Sequence, residues 1–450
     1  MINVRDGIYG FIVGDALGVP VEFSYRFVLE KDPVRDMREF GTHFQPKGTW
    51  SDDSSMMIAT IDSLICKNGY NINDSFYDMA DKFVSWYKDR KYTPHNEVFD
   101  IGGATRKALN NYINNRDKLC GCGEISDNGN GSLMRILPLA YYFYVANLDI
   151  EKRKEITFEV SSITHSHIIS KYGCLIYIEF VLNILKNRNN LDLLNLYSET
   201  VKEIKTLLKS ESREVQKTVE KAYKKVLDGK INKEKYENIK SSGYVVDTLE
   251  AVIWTILNSN DYSESVLKAV NLGDDTDTVG ALAGGIAGII YGEYQIPKEW
   301  RESIQGKDYI DELISSFEKK LETIRISNNV IDLKILQETI DDLKNNPKAC
   351  ELIGGETSKD GTFSIPSSNP SKQLSEFMKY IYDNDLIDKN YLENNKKIEH
   401  KDINNMNFNQ IMTAITYFLR GERFCSGFWY SNFKDGTILK LLERLRDLIN

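Results

Sequence analysis

Apolar side chains recur every three to four positions along most of this chain, the spacing that lines one face of an α-helix. Ile58–Ile65 (IATIDSLI), Leu175–Leu185 (LIYIEFVLNIL) and Thr248–Leu257 (TLEAVIWTIL) show it clearly, and convincing period-two strands are rare. Asp247 before TLEAV and Ser263 before ESVLKAV read as helix caps. Residues 1–322 read as one compact multi-helix domain. The pattern then changes: Asn345–Lys372 holds Gly354-Gly355, several Ser and Thr, and three of the nine prolines, and reads as a loop or linker. Beyond it, Leu374–Tyr382, Asn407–Arg420 and Thr437–Ile449 have amphipathic helical spacing. With Ile331–Lys344 upstream they predict a second, small helical domain over residues 323–450. The fold class expected is all-α, with no internal repeat.

Composition adds limits. A chain of 450 residues with 41% hydrophobic and 27% charged residues can bury a large core, and only 9 prolines leave long helices uninterrupted. Charges in MINVRDGIYG occupy the place of a signal peptide's apolar stretch. The apolar run Ala281–Tyr291 is about three turns, too short for a membrane span. The six cysteines are scattered, and the Cys120-Gly-Cys122 pair lacks a second pair to complete a zinc site. A cytoplasmic protein without a membrane partner is expected. A net charge of −9 argues against direct nucleic-acid binding. The lysines between Lys202 and Lys240 alternate with Glu, as on a solvated helix face.

Two acidic clusters carry the chemistry. Ser51-Asp52-Asp53-Ser54-Ser55 leads directly into a helix, and one Ser or Asp would suffice to cap it. Two adjacent carboxylates flanked by hydroxyls exceed that need. Asp274-Asp275-Thr276-Asp277-Thr278 again stands at a helix start, before a segment too apolar for a surface. Concentrated charge beside a buried helix is expensive unless a cation offsets it, and oxygen donors without His or Cys suit Mg²⁺ or Mn²⁺ rather than Zn²⁺. Overcharged caps are the plainer alternative at both places.

Small-residue stripes accompany the clusters: Gly280, Gly284 and Gly288 in one segment, and Gly7, Gly10, Gly14 and Gly18 in the other. Each helical Gly costs about 1 kcal/mol relative to Ala, so the stripes predict close helix–helix approach. Such approach would bring separate acidic helix ends together around two cations about 3.5–4 Å apart. Asp15, in an apolar segment, is expected to anchor an internal network. Glu22, just past Pro20, is the better site candidate. The turn Asp127–Ser132 (DNGNGS) could present N–H groups to a diphosphate or a sugar hydroxyl. Thr164-His165-Ser166-His167 has poor spacing for chelation, and a His pair of this kind is more often structural.

In this order, GDALGVPVEF (Gly14–Phe23), GTWSDDSSM (Gly48–Met56), DNGNGSLMRILPLA (Asp127–Ala140), THSH (Thr164–His167), SGYVVDTLEAVIW (Ser242–Trp254) and GDDTDTVGALAGGIAG (Gly273–Gly288) resemble the ADP-ribosylglycohydrolase family. The resemblance implies an all-α fold and hydrolysis of the bond between ADP-ribose and an acceptor, arginine first by analogy, with serine or another acceptor as the alternative. The substrate it implies is an ADP-ribosylated protein or a small ADP-ribosyl compound. It implies two divalent cations, Mg²⁺ or Mn²⁺, held by Ser51, Asp52, Asp53, Asp275, Asp277 and Thr278. Glu22 and Asp127 become the catalytic acids, and Gly129, Asn130, Gly131, Ser132 and His165 become contacts to ADP-ribose. Ser51 stands where Thr is usual, and Asp274 where a second Gly is usual; neither removes a ligand. The end of the chain, around Phe408–Phe433, resembles a small bacterial domain of unknown function, which implies no chemistry but leaves room for an unknown partner.

Two rivals remain at this stage. Asp275-Thr276-Asp277-Thr278-Val279 matches a DxDx[TV] phosphatase signature, which requires a strand before Asp275. A non-catalytic ADP-ribose-binding protein would be marked by lost ligands, and none is lost.

Overall fold

The computed structural model describes residues 3–66, 72–117, 120–188, 190–328, 333–384, 386–388, 390–396, 398, 402–406 and 408–449. Residues 331, 332 and 407, at the starts of two expected helices, lie outside these. The fold is all-α apart from two short strands. It divides into two compact units, Met1–Ile324 and Arg325–Asn450.

The first unit is built around helices that are apolar on every side and therefore buried on every side. Among them are α1 (Arg5–Gly18), α2 (Asp52–Cys66), α3 (Ile168–Lys186), α4 (Val245–Leu257) and α5 (Thr276–Tyr291). By length and composition α3 could cross a membrane, a longer apolar segment than Ala281–Tyr291, but 89% of its apolar window is buried inside the unit. Its burial marks it as a core helix. α1 and α5 lie against each other through their glycines. A Cβ on Gly14 would stand 2.1 Å from the carbonyl oxygen of Gly280, one on Gly10 2.3 Å from that of Gly284, and one on Gly18 2.3 Å from the Cα of Asp277. Backbone therefore rests directly on backbone, which only glycine permits. This seam brings the end of α1 to the start of α5, where Thr276 Oγ1 donates to the Gly18 carbonyl at 2.8 Å.

Two expected caps fall elsewhere. Asp261 caps the helix Tyr262–Val270 by accepting from Glu264 N at 2.8 Å, which leaves Ser263 inside the first turn. α4 begins at Val245, so Asp247 sits in its first turn, where its charge complements the helix dipole.

The second unit has its own core of Leu336, Ile340, Phe377, Ile381, Ile411, Ile415, Leu442 and Leu445. It contains α6 (Leu333–Asn345), α7 (Lys372–Asp383), α8 (Phe408–Gly421), α9 (Phe428–Lys434) and α10 (Thr437–Ile449). The segment read as a loop or linker holds an antiparallel pair, β1 (Cys350–Ile353) and β2 (Ser367–Pro370), with Cys350 opposite Pro370 and Ile353 opposite Ser367. Ser-Ser-Asn-Pro has no apolar alternation to announce a strand. Glu422 fastens β2 to the start of α9, accepting from Ser368 N and Oγ, Gly427 N and Trp429 N at 2.8–2.9 Å.

Candidate metal and active site

The seam delivers two acidic segments to one place. Beyond Gly18 the chain turns through Pro20 and points Glu22, 4% exposed, back toward the start of α5. Two backbone bonds fix that return: Phe23 N donates to Asp274 O at 2.7 Å, and Asp274 N to Ser24 O at 2.8 Å. Asp274 takes a left-handed φ of 57°, a conformation that favours Gly and that Asp tolerates better than most residues. Carboxylate oxygens of Glu22, Asp275 and Asp277 lie within 4.8 Å of one another.

The second acidic segment enters through Asp15. Its fully buried carboxylate accepts from Ser51 N at 3.0 and 3.1 Å, from Ser54 N at 3.0 Å and from Ser54 Oγ at 2.5 Å. Asp15 is the internal anchor its apolar surroundings suggested, and it sets where α2 begins. Ser51 Oγ then donates to Asp53 Oδ2 at 3.2 Å. Across the seam, Thr278 Oγ1 donates to the same oxygen at 3.3 Å. Ser51, Asp53, Asp275, Asp277 and Thr278 thus form one cluster, with Asp52 beside it.

The electrostatics of this cluster are unfavourable as it stands. Burial, then neighbouring carboxylates, holds Asp52, Asp53 and Asp277 well above the ordinary carboxylate range. Burial also raises Asp275, lifts Asp15 to about 6 and, with Asp100 and Asp275 adding to it, lifts Glu22 to about 10. Asp53 Oδ1, Asp275 Oδ1 and Asp277 Oδ2 are buried without a hydrogen-bond partner among the described residues. Orphaned buried carboxylate oxygens beside two hydroxyls are a donor set for hard divalent cations, so these residues fit the metal expected from the sequence.

Two residues absent from the sequence reading join the site. His43 Nε2 is bonded to Glu22 Oε2, and ligand atoms of Glu22, His43 and Asp100 lie within 4.8 Å of one another. Burial raises the Asp100 carboxyl and lowers the His43 imidazole. Both residues come from irregular segments without hydrophobic periodicity, so no pattern singled them out.

Asp127, expected among the catalytic acids, stands apart from these groupings. Its Oδ2 accepts from Glu124 N at 3.0 Å, closing a short helical turn, and lies 3.9 Å from Lys107 Nζ. The Gly-rich turn after it is tied to the acidic cluster through Asn130, with Gly129 and Gly131 half-buried. Asn130 N donates to Gly243 O at 3.0 Å, while its side chain donates to Asp275 Oδ2 at 2.8 Å and Thr248 Oγ1 at 3.0 Å. Ser132 is fully buried and its hydroxyl accepts from Ser161 Oγ at 3.0 Å. His165 lies beside Gly129 and Gly131: a Cβ on Gly131 would come within 2.9 Å of its ring. Burial, aided by Arg135, pushes His165 down to about 3, so it is neutral.

A family model described as ADP-ribosylglycohydrolase matches residues 3–325. The chain belongs to the ADP-ribosylglycohydrolase family. It is 29% identical to the ADP-ribosylarginine hydrolase Tri1 of Serratia proteamaculans, over 69% of this chain and 77% of that one. It is 30% identical to the protein of the same name from Pseudomonas putida, over 69% and 76%. With the ADP-ribosyl-[dinitrogen reductase] glycohydrolase of Rhodospirillum rubrum it shares 27% identity, over 66% and 88%. A solved structure titled ADP-ribosylglycohydrolase-related protein complex superposes with a TM-score of 0.55 at 27% identity, covering 71% of this chain and 98% of that one. Residues 329–450 match a family of unknown function, DUF6508. The family resemblance read from the motifs therefore stands, and with it the assignment of this glycohydrolase family member as a hydrolase.

Proposed function

We propose that the enzyme releases ADP-ribose from an ADP-ribosylated arginine side chain, using two Mg²⁺ or Mn²⁺ ions held by Ser51, Asp52, Asp53, Asp275, Asp277 and Thr278. The single observation that carries this is the set of three orphaned, buried carboxylate oxygens, on Asp53 at the start of α2 and on Asp275 and Asp277 at the start of α5, in segments that the Thr278–Asp53 bond ties together. Divalent cations there supply positive charge for the ribose hydroxyls and for a hydrolytic water. They also invert the sign of a site that would otherwise repel a diphosphate. Arginine as acceptor is supported by the names of the relatives from Serratia and Pseudomonas.

The chain's own residues divide the remaining work. Asp15 holds the 51–54 backbone in register. Glu22 and Asp100, adjacent at the open side of the cluster, are the better placed pair to take a proton from water and return one to the leaving nitrogen. Asp127, whose carboxylate closes the 124–127 turn, remains the second candidate acid. Gly129 and Gly131, half-buried with His165 packed behind them, offer a surface for ADP-ribose, while Asn130 and Ser132 keep that turn in place. Six unpaired cysteines suit a reducing, cytoplasmic setting.

The DxDx[TV] phosphatase reading loses its support, because the helix Tyr262–Val270 stands where a strand is required. The test is release of ADP-ribose from arginine- and serine-linked substrates with Mg²⁺, Mn²⁺ or EDTA. Metal-dependent release abolished in Asp52→Ala and Asp277→Ala is expected. Metal binding without release from either linkage would instead establish a non-catalytic binder.

A further inference from the structure

Three rings line the approach to Glu22. His43, whose Nε2 is bonded to Glu22, lies between Phe23 and Phe99: the Phe23–His43 centroids are 6.0 Å apart, edge to face, and the His43–Phe99 centroids 5.2 Å. Phe23 directly follows Glu22, and Phe99 directly precedes Asp100. The row therefore meets a buried carboxylate at its middle ring and reaches solvent at Phe23, which is 60% exposed. Phe23 is also held at φ 61°, a region that a bulky side chain rarely enters, and its N–H is fastened to the Asp274 carbonyl. A strained backbone that turns an apolar ring away from the core does nothing for packing. Strain of this kind collects where a ligand is met.

We propose that Phe23, His43 and Phe99 form a wall that receives the acceptor side of the substrate, and that its occupant is a guanidinium group. Charge complementarity selects that occupant. The wall is backed by Glu22 and Asp100, and Glu97 is exposed on the same segment as Phe99. A flat cation that stacks on rings while facing carboxylates satisfies both features, and a guanidinium does so better than an ammonium. A serine acceptor offers neither charge nor a plane. The wall is thus a specificity-determining element for arginine-linked substrates, and it rests on the glycohydrolase reading above.

The test compares full-length wild type with Phe23→Leu and Phe99→Leu, which keep apolar bulk but remove the π-face, and with Phe23→Tyr, which restores it. Initial rates on arginine- and serine-linked ADP-ribosyl substrates give the ratio of the two kcat/KM values, and inhibition by free ADP-ribose reports the nucleotide side. The Leu variants are expected to lower the arginine-to-serine ratio about ten-fold, through KM, with Phe23→Tyr near wild type. An unmoved ratio overturns the wall. So does ADP-ribose inhibition that weakens in step, which would assign the rings to adenine, or an equal fall of kcat on both substrates, which would make them supports of Glu22. Wild type that acts on the serine linkage alone keeps the glycohydrolase reading and removes the wall; release from neither substrate removes both.

Discussion

Gly14→Ala tests the helix seam on which the site depends. In an open helix this change stabilises by up to about 1 kcal/mol through helix propensity. Here the new Cβ would stand 2.1 Å from the Gly280 carbonyl oxygen, and real Cβ atoms essentially never come closer than 3.0 Å. The opposing atoms are backbone inside two buried helices, so no flexible side chain can yield, and α1 and α5 must part by about 1 Å. Overpacking of this kind costs about 1–3 kcal/mol, leaving a net destabilisation of up to about 2 kcal/mol after the propensity gain. In a unit of this size the melting temperature should fall by up to about 3 °C. Activity should suffer more, because the seam ends at Gly18 and Asp277, and a shift of about 1 Å in catalytic groups can cost on the order of a hundred-fold. The control is Gly103→Ala, at the start of the helix Gly103–Asn115, where a Cβ would meet nothing within 4 Å. Thermal melts and initial rates on all three proteins decide the matter. A Gly14→Ala protein as stable and as active as Gly103→Ala would refute the seam argument.

Three further outcomes follow from the same geometry. Asp277→Asn should abolish release and at the same time raise the melting temperature in EDTA, since it removes a buried charge that lacks a hydrogen-bond partner at Oδ2; saturating Mn²⁺, worth about 2.7 kcal/mol to wild type at a hundred-fold over its dissociation constant, should stabilise this variant far less. Asp15→Ala should destabilise the first unit by about 3 kcal/mol in urea titrations, because Ser51 N and Ser54 N would lose a charged acceptor in the interior. Glu422→Ala should destabilise the second unit by about 2–3 kcal/mol. Although burial alone would raise the Glu422 carboxyl, the N–H donors from Trp429, Ser368 and Gly427 hold it below its ordinary value of 4.5. Its contribution is therefore complete above that value and vanishes as pH falls through the lowered one, so wild type and Glu422→Ala should converge in stability under acid.

What could be read from the residues alone depended on excess. Two adjacent carboxylates at Asp52-Asp53 are more charge than a cap needs, and glycines at helical spacing are more loss of propensity than a helix tolerates without reason. The two anomalies pointed to the acidic cluster and to the seam. Asp15 was legible for a similar reason, as an acid in apolar surroundings. His43 and Asp100 carried no such mark: they lie in irregular segments, and what makes Asp100 distinctive is a left-handed φ of 51° that its residue type does not reveal. Asp127 shows another case, since a carboxylate beside a Gly-rich turn looks catalytic in sequence, and only the structure shows that it also closes the turn before it. The strands β1 and β2 were missed because four residues without apolar alternation are held by partners that only tertiary structure supplies.

The seam between α1 and α5 also governs when this enzyme can come into being. Thr276 and Gly18, bonded across it, are 258 residues apart in the chain. At a synthesis rate of about 5–20 residues per second, α1 leaves the ribosome roughly 15–50 s before its partner helix exists. Throughout that interval the glycine face of α1 lacks the backbone that packs against it, and the acids of α2 lack the opposing carboxylates at the start of α5. The acidic cluster is therefore among the last features of the first unit to form. A nascent chain interrupted before α5 carries half of the acidic cluster and, with it, a helix whose glycine face is bare.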